Sequence, residues 1–197
     1  MLKIVPAKTG EELHQIRLLF EEYAVSLDFD LSFQNFEEEL ANLPGDYAPP
    51  AGRLLLACWD GQIAGCIALR KINQDGCEMK RLYVRPPFRR LGIGRTLAGE
   101  IIEEGKKIGY TWMRLDTVPS MKRARALYES LGFKKIPPYR HNPIAGAVFL
   151  ELKLGTSSQS AIHRQQSFFP CLSSFFPGIL VSQSRRGGLP CPIMMRW

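Results

Sequence analysis

Apolar residues at Leu13, Ile16, Phe20, Tyr23 and Leu27 recur every three or four positions from Glu11 onward, with polar residues between them. That spacing predicts an amphipathic helix. LKIVPA, just before it, alternates as a first strand. Beyond it Phe33, Phe36 and Leu40 share one face of a second, short helix, with Ser32 as its expected cap. GRLLLACWDGQIAGCIALRKI is two apolar runs around Asp60-Gly61, the pattern of a β-hairpin. A further turn is expected at Asn73-Gln74-Asp75-Gly76. The next strand is CEMKRLYV, which Pro86-Pro87 end.

Residues 91–108 carry Ile93, Leu97, Ile101 and Ile102 at helical spacing, with Gly109 in the stop position. YTWMRLDTV reads as a strand. Residues 121–131 form a helix on MxxAxxLYxxL spacing, stopped by Gly132. FKKI and GAVFLELKL are closing strands. The order β-α-α-β-β-β-α-β-α-β-β predicts an α/β fold with helices on both faces of the sheet.

This patterning stops at Gly155. The stretch 155–197 is rich in Ser, Gln, Pro and Gly, and contains four arginines and no acidic residue. It is expected to be a poorly ordered basic tail after a domain over 1–154, with an apolar patch at FFPCLSSFFPGILV. The tail also explains most of the charge. The whole chain carries +7, but residues 1–154 hold 22 basic against 19 acidic groups, net +3. That balance does not indicate a nucleic-acid partner.

No apolar run is long enough for a membrane span, and MLKIVPAKTGEEL lacks a secretory h-region. The five cysteines, at 58, 66, 77, 171 and 191, form no C-x-x-C pair. Neither a disulfide framework nor a metal site is expected, and a cytoplasmic location fits best.

The candidate chemistry lies in PPFRRLGIGRTL, residues 86–97. An R-x-x-G-x-G loop between a strand and a helix suits pyrophosphate. The first helical amides have no internal partner and point outward, and the helix dipole is positive there. Glycines at 92 and 94 let a ligand approach the backbone, and Arg89, Arg90 and Arg95 can fork onto phosphate oxygens. The Rossmann fingerprint would need a third glycine where Leu97 stands. A Walker loop would need Gly-Lys-Ser/Thr, whereas Gly105-Lys106-Lys107 lacks the hydroxyl and lies within a helix.

MKRLYVRPPFRRLGIGRTLAGEIIEEGKKIGY followed by MKRARALYESLGFKK closely resembles the GCN5-related N-acetyltransferase (GNAT) superfamily. The resemblance covers roughly residues 1–154 and is most specific over 78–133. It implies a central mixed, mostly antiparallel sheet and acetyl-CoA as acyl donor, with no metal. The pyrophosphate would sit on the amides from Leu91 through Gly92, Ile93, Gly94 and Arg95 to Thr96, with Arg89 and Arg90 at the entrance. The pantetheine arm would run beside Leu82, Tyr83 and Val84, and the amide near Leu82 would polarise the thioester carbonyl. Many members carry Asn seven positions before the tyrosine of the second motif. Met121 stands there in this chain, with Ser120 and Arg123 as substitutes.

The implied reaction is direct transfer of acetyl to a primary amine on a small molecule or peptide. A non-catalytic acyl-CoA-binding module is the alternative. Glu78, four residues before Leu82, is the first candidate base, and alternation would put it on one strand face with Leu82 and Val84. Asp116 is the second. Tyr128 is the candidate acid, since a phenol stays protonated at neutral pH. His141 lies in a loop where the family shapes its acceptor site. Glu21, Glu22 and Glu37-Glu38-Glu39 are placed to attract a cationic amine. The acceptor's identity and a homodimer are left open.

Overall fold

The computed structural model describes residues 1–155. The expected tail, from residue 156 on, lies outside the described residues. Seven strands form one sheet: β1 (Leu2–Pro6), β2 (Arg53–Trp59), β3 (Gln62–Lys71), β4 (Gly76–Val84), β5 (Trp112–Thr117), β6 (Lys134–Ile136) and β7 (Val148–Lys153). Their spatial order is β1-β2-β3-β4-β5-β7-β6. Every neighbouring pair is antiparallel except β4 and β5. The expected α/β class and element order are therefore present.

Four helices cover the two faces: α1 (Gly10–Val25), α2 (Phe36–Ala41), α3 (Ile93–Ile108) and α4 (Lys122–Ser130). The apolar stripe of α1 buries Ile16, Leu19 and Phe20 with Phe36 and Leu40 of α2 against Leu54, Leu56 and Cys66. On the other face Ile93, Leu97, Ile101 and Tyr128 pack with Ile67, Leu69, Met79 and Met113. Local chemistry sets the ends. Thr9 and Glu12 form a capping box that starts α1, a device worth about 1 kcal/mol. Asp60 and Gly61 both take positive φ in the β2–β3 hairpin, as such a turn requires. Ser32 does not cap α2. It begins a short 3-10 turn over Ser32–Gln34, and Asn35, in the left-handed region, leads into the helix.

Two features of β4 shape everything that follows. It pairs with β5 only through Gly76↔Trp112, Cys77↔Met113 and Glu78↔Arg114. From Met79 to Val84 it keeps β3 on one side and has no strand on the other among the described residues. The register against β3 also slips between Cys66 and Ala68, and Arg81 sits there at φ 56°. Such a bulge puts an extra residue in one strand and reverses the alternation beyond it.

Candidate active site

The bulge corrects the expected face of Glu78. Cys77 and Met79 belong to the α3 side of the sheet, and Leu82 and Val84 pack against that same cluster. Glu78 and Lys80 lie on the opposite face, with Tyr83 rejoining the α1 side after the bulge. Glu78 is 1% exposed. Its Oε2 accepts from Arg70 Nε at 2.8 Å and its Oε1 from the Tyr139 hydroxyl at 2.7 Å. Arg140 Nη1 lies 3.5 Å from Oε1. Burial pushes the Glu78 carboxyl up, but Lys80, Arg140 and Arg70 together outweigh it and hold the group below its ordinary value. Glu78 lines neither of the two cavities described below.

The larger cavity is an open cleft of about 1090 Å³ between β4, the start of α3 and the start of α4. Of the residues expected to hold the cofactor, Leu82, Tyr83, Val84, Arg89, Arg90, Gly92, Ile93, Gly94 and Arg95 are on its wall, and Leu91 and Thr96 are not. Gly92 caps α3 at φ 79° with no side-chain cap bond. The Arg95 and Thr96 amides both donate to the Gly92 carbonyl, at 3.0 and 3.1 Å. The amides of Leu91, Gly92, Ile93 and Gly94 have no acceptor among the described residues. The outward-facing set is thus 91–94 rather than 91–96.

Arg89 is anchored by its Nε on the Val84 carbonyl at 3.0 Å, and Arg95 Nη2 by the Ser130 hydroxyl at 2.7 Å. Lys122 and Arg123 add charge from α4, and Asp28 is the one carboxylate on this wall. Free amides at a helix start, with arginines held in place beside them, form a receptor for a polyanion. Ser120, Met121 and Arg123 all line the cleft, so the apolar Met121 stands on the cofactor side with polar neighbours on both flanks.

The second cavity is small, about 60 Å³, and sits in the wedge where β4 and β5 part. Met79, Lys80, Arg81 and Leu82 line it from β4, and Leu115, Asp116, Thr117 and Val118 from β5 and its end. Tyr23, Leu82 and Met121 are common to both cavities, so the two meet at the β4 edge. Tyr128 reaches this cavity while its ring packs 5.8 Å from that of Phe133. Tyr128 is thus a packed residue on the wall of the small cavity, and it is not on the wall of the larger cleft. Burial, reinforced by Tyr23 and Asp116, pushes its phenol up, so it remains protonated at neutral pH.

Asp116 is on the wall, paired with Arg140 Nη2 and accepting from Asn142 Nδ2 at 2.7 Å. Arg140 and Asn142 line the cavity, whereas His141 between them is exposed. The β6–β7 loop thus contributes through His141's neighbours. The acidic residues of the first helices do not make the cleft acidic. Glu22 is held by Arg85 at 2.7 Å and Glu39 by Arg81, while Glu21, Glu37 and Glu38 are exposed.

A sequence model of the acetyltransferase (GNAT) family matches residues 13–133. The chain belongs to this family. It is 42% identical over 155 residues to an uncharacterised N-acetyltransferase of Schizosaccharomyces pombe, covering 78% of this chain and 95% of that one. The fold is shared with an acetyltransferase from Streptococcus agalactiae (TM-score 0.64, 21% identity, 77% of this chain and 98% of the other). It is also shared with an acetyltransferase from Salmonella typhimurium solved with its cofactor acetyl-CoA (TM-score 0.57, 17% identity, 80% and 96%). The protein is a GNAT-family acetyltransferase, and the R-x-x-G-x-G loop and the parted strands are the parts of the fold that form its cleft. No described helix is long and apolar enough to cross a membrane.

Proposed function

We propose that this GNAT protein transfers an acetyl group from acetyl-CoA to a primary amine on a small molecule, in the cytoplasm, by direct attack. The observation that carries this reading is a coincidence on one wall. The amides of Gly92, Ile93 and Gly94, which have no acceptor among the described residues, and the edge of β4 that no described strand covers face the same cleft. A donor with pyrophosphate at one end and an amide-bearing arm at the other matches both. The amides and Arg89, Arg90 and Arg95 take the phosphates. The β4 edge at Leu82–Val84 takes the arm as an added strand would be taken.

The chemistry is assigned to groups where the two cavities meet. The Leu82 amide donates to the carbonyl oxygen as the amine nitrogen bonds to the carbonyl carbon and negative charge builds on that oxygen. Asp116, the carboxylate on the cavity wall, accepts the proton lost by the amine. As the carbon–sulfur bond breaks, Tyr128 gives its proton to the thiolate. Glu78 is a positioning residue in this scheme, because it lies on the wall of neither cavity and holds Arg140 against Asp116. Amine-dependent release of free CoA by the purified protein tests the proposal.

A further inference from the structure

The cations around the small cavity are unequally paired. Arg70, Lys80, Arg81 and Arg140 lie in and beside the wedge, with Glu39, Asp46, Glu78 and Asp116 as the carboxylates near them. Arg81 is matched by Glu39, Arg70 by Glu78 and Asp46, and Arg140 by Asp116 and Glu78. Lys80 forms no ion pair among the described residues. It is 7% exposed and its Nζ meets only the neutral Gln34 Oε1, at 3.0 Å, among the described residues. An ammonium has three donors, so hydrogen-bonding capacity remains.

Two other side-chain atoms point the same way. Thr117 Oγ1 and Arg140 Nε are buried without any hydrogen-bond partner among the described residues. Both residues line this cavity, as Lys80 does. Buried donors left unpaired are costly, and such groups in a native fold call for a specific occupant.

We propose that Lys80, Arg140 and Thr117 form a carboxylate-binding subsite, so that the amine acceptor is a free amino acid. The inference rests on the acetyltransferase reading of the same cleft and adds the chemistry of the acceptor. A carboxylate accepts up to four hydrogen bonds, and here it meets an ammonium, a guanidinium N–H and a hydroxyl. A cavity of about 60 Å³ admits a group of a few heavy atoms and not a peptide chain. With the carboxylate seated there, the amine lies toward Asp116 and the Leu82 edge, where the donor cleft begins.

The state of Lys80 agrees with this. Burial, with Arg81, Arg140 and Arg70 nearby, outweighs Glu78 and pushes its ammonium down to about 7. An anion at its Nζ restores the charge. The subsite therefore discriminates against acceptors that lack an anion, since they leave its buried donors without an acceptor.

The test pairs free L-amino acids with their α-carboxamides, in both acetylation assays and calorimetric titrations of the CoA-loaded protein. The acids should be preferred by more than about tenfold, the scale of charge-assisted hydrogen bonds. Two variants should remove that preference. Lys80→Met deletes the cation in a side chain of similar length, and its melting temperature shows whether the fold is kept. Gln34→Glu leaves Lys80 in place but gives it an internal carboxylate. Equal use and equal binding of acid and amide by the parent would overturn the subsite, as would an intact preference in Lys80→Met. The two readings separate cleanly. Turnover without preference removes the subsite and keeps the acetyltransferase, while selective binding of acids without turnover does the reverse.

Discussion

Glu78 and Asp116 share one guanidinium. Arg140 Nη1 lies 3.5 Å from Glu78 Oε1, and Nη2 of the same side chain pairs with Asp116 Oδ1. One of these carboxylates is sealed inside the protein and the other faces the cavity. Their substitutions should therefore fail in different ways.

Glu78→Gln should act first on stability. It removes the one buried anion that the half-buried Arg70 and Arg140 share, leaving them Asp46 and Asp116, so the loss should fall short of the roughly 3–5 kcal/mol of a fully buried pair that loses one partner. Urea unfolding measures it. The pH dependence has a definite sign. The Glu78 carboxyl is lowered in the native state, so its contribution is complete above the ordinary glutamate value of 4.5 and is lost as the pH falls through the lower native value. The parent should lose stability over that window, and Glu78→Gln should lack that part of the loss. An unchanged unfolding midpoint near neutrality would show that the buried pairs contribute nothing.

Asp116→Asn should act on rate. General base catalysis is worth about 10²–10⁴-fold, and turnover near neutral pH should fall by that order. The loss should shrink at high pH, where more of the amine is already neutral. Acetyl-CoA affinity should hold, because Asp116 is not on the wall of the larger cleft. A full neutral-pH rate would assign the proton to water or to another group.

Gly94→Glu tests the loop. A Cβ at Gly94 would meet Val84 Cγ2 at 3.7 Å and Leu127 Cδ2 at 4.0 Å, ordinary contacts that leave the fold intact. The new carboxylate would stand at the free amides of α3. CoA binding should weaken by about tenfold or more, or about 1.4 kcal/mol, because the carboxylate repels the phosphates and competes with them for the positive helix start. Unchanged affinity in calorimetry would remove the loop from the donor site.

Tyr128→Phe keeps the ring against Phe133 and takes away only the hydroxyl. Stability should change little, and turnover should fall by about 10²–10⁴-fold. A donor with a better leaving thiol should rescue the variant more than the parent. Normal turnover with acetyl-CoA would leave Tyr128 as a core residue alone.

The periodicity of α1, α3 and α4, the Asp60-Gly61 hairpin and the R-x-x-G-x-G loop were all legible along the chain, because each depends on neighbours a few residues apart. The face of Glu78 was not. Alternation carries from Glu78 to Leu82 only if the strand is regular, and the bulge at Arg81 interrupts it through pairing with β3. The Glu22–Arg85 and Glu39–Arg81 pairs were equally hidden, since they join residues 63 and 42 positions apart. They neutralised what looks along the chain like an acidic acceptor side. Tyr139, Arg140 and Asn142 were passed over in favour of His141. The only signal was a dense polar run in YRHN before the closing strand, and a loop's side chains have no periodicity that assigns them an orientation.

The central claim is that this cleft carries out acetyl transfer. Its most direct test is the rate of free CoA release by purified full-length protein given acetyl-CoA, with and without each member of an amine library, alongside mass detection of the acetylated amine. The account predicts release that depends on the amine and is matched mole for mole by N-acetyl product. Saturable binding of acetyl-CoA with no amine-dependent release for any acceptor would contradict it and leave an acyl-CoA-binding module.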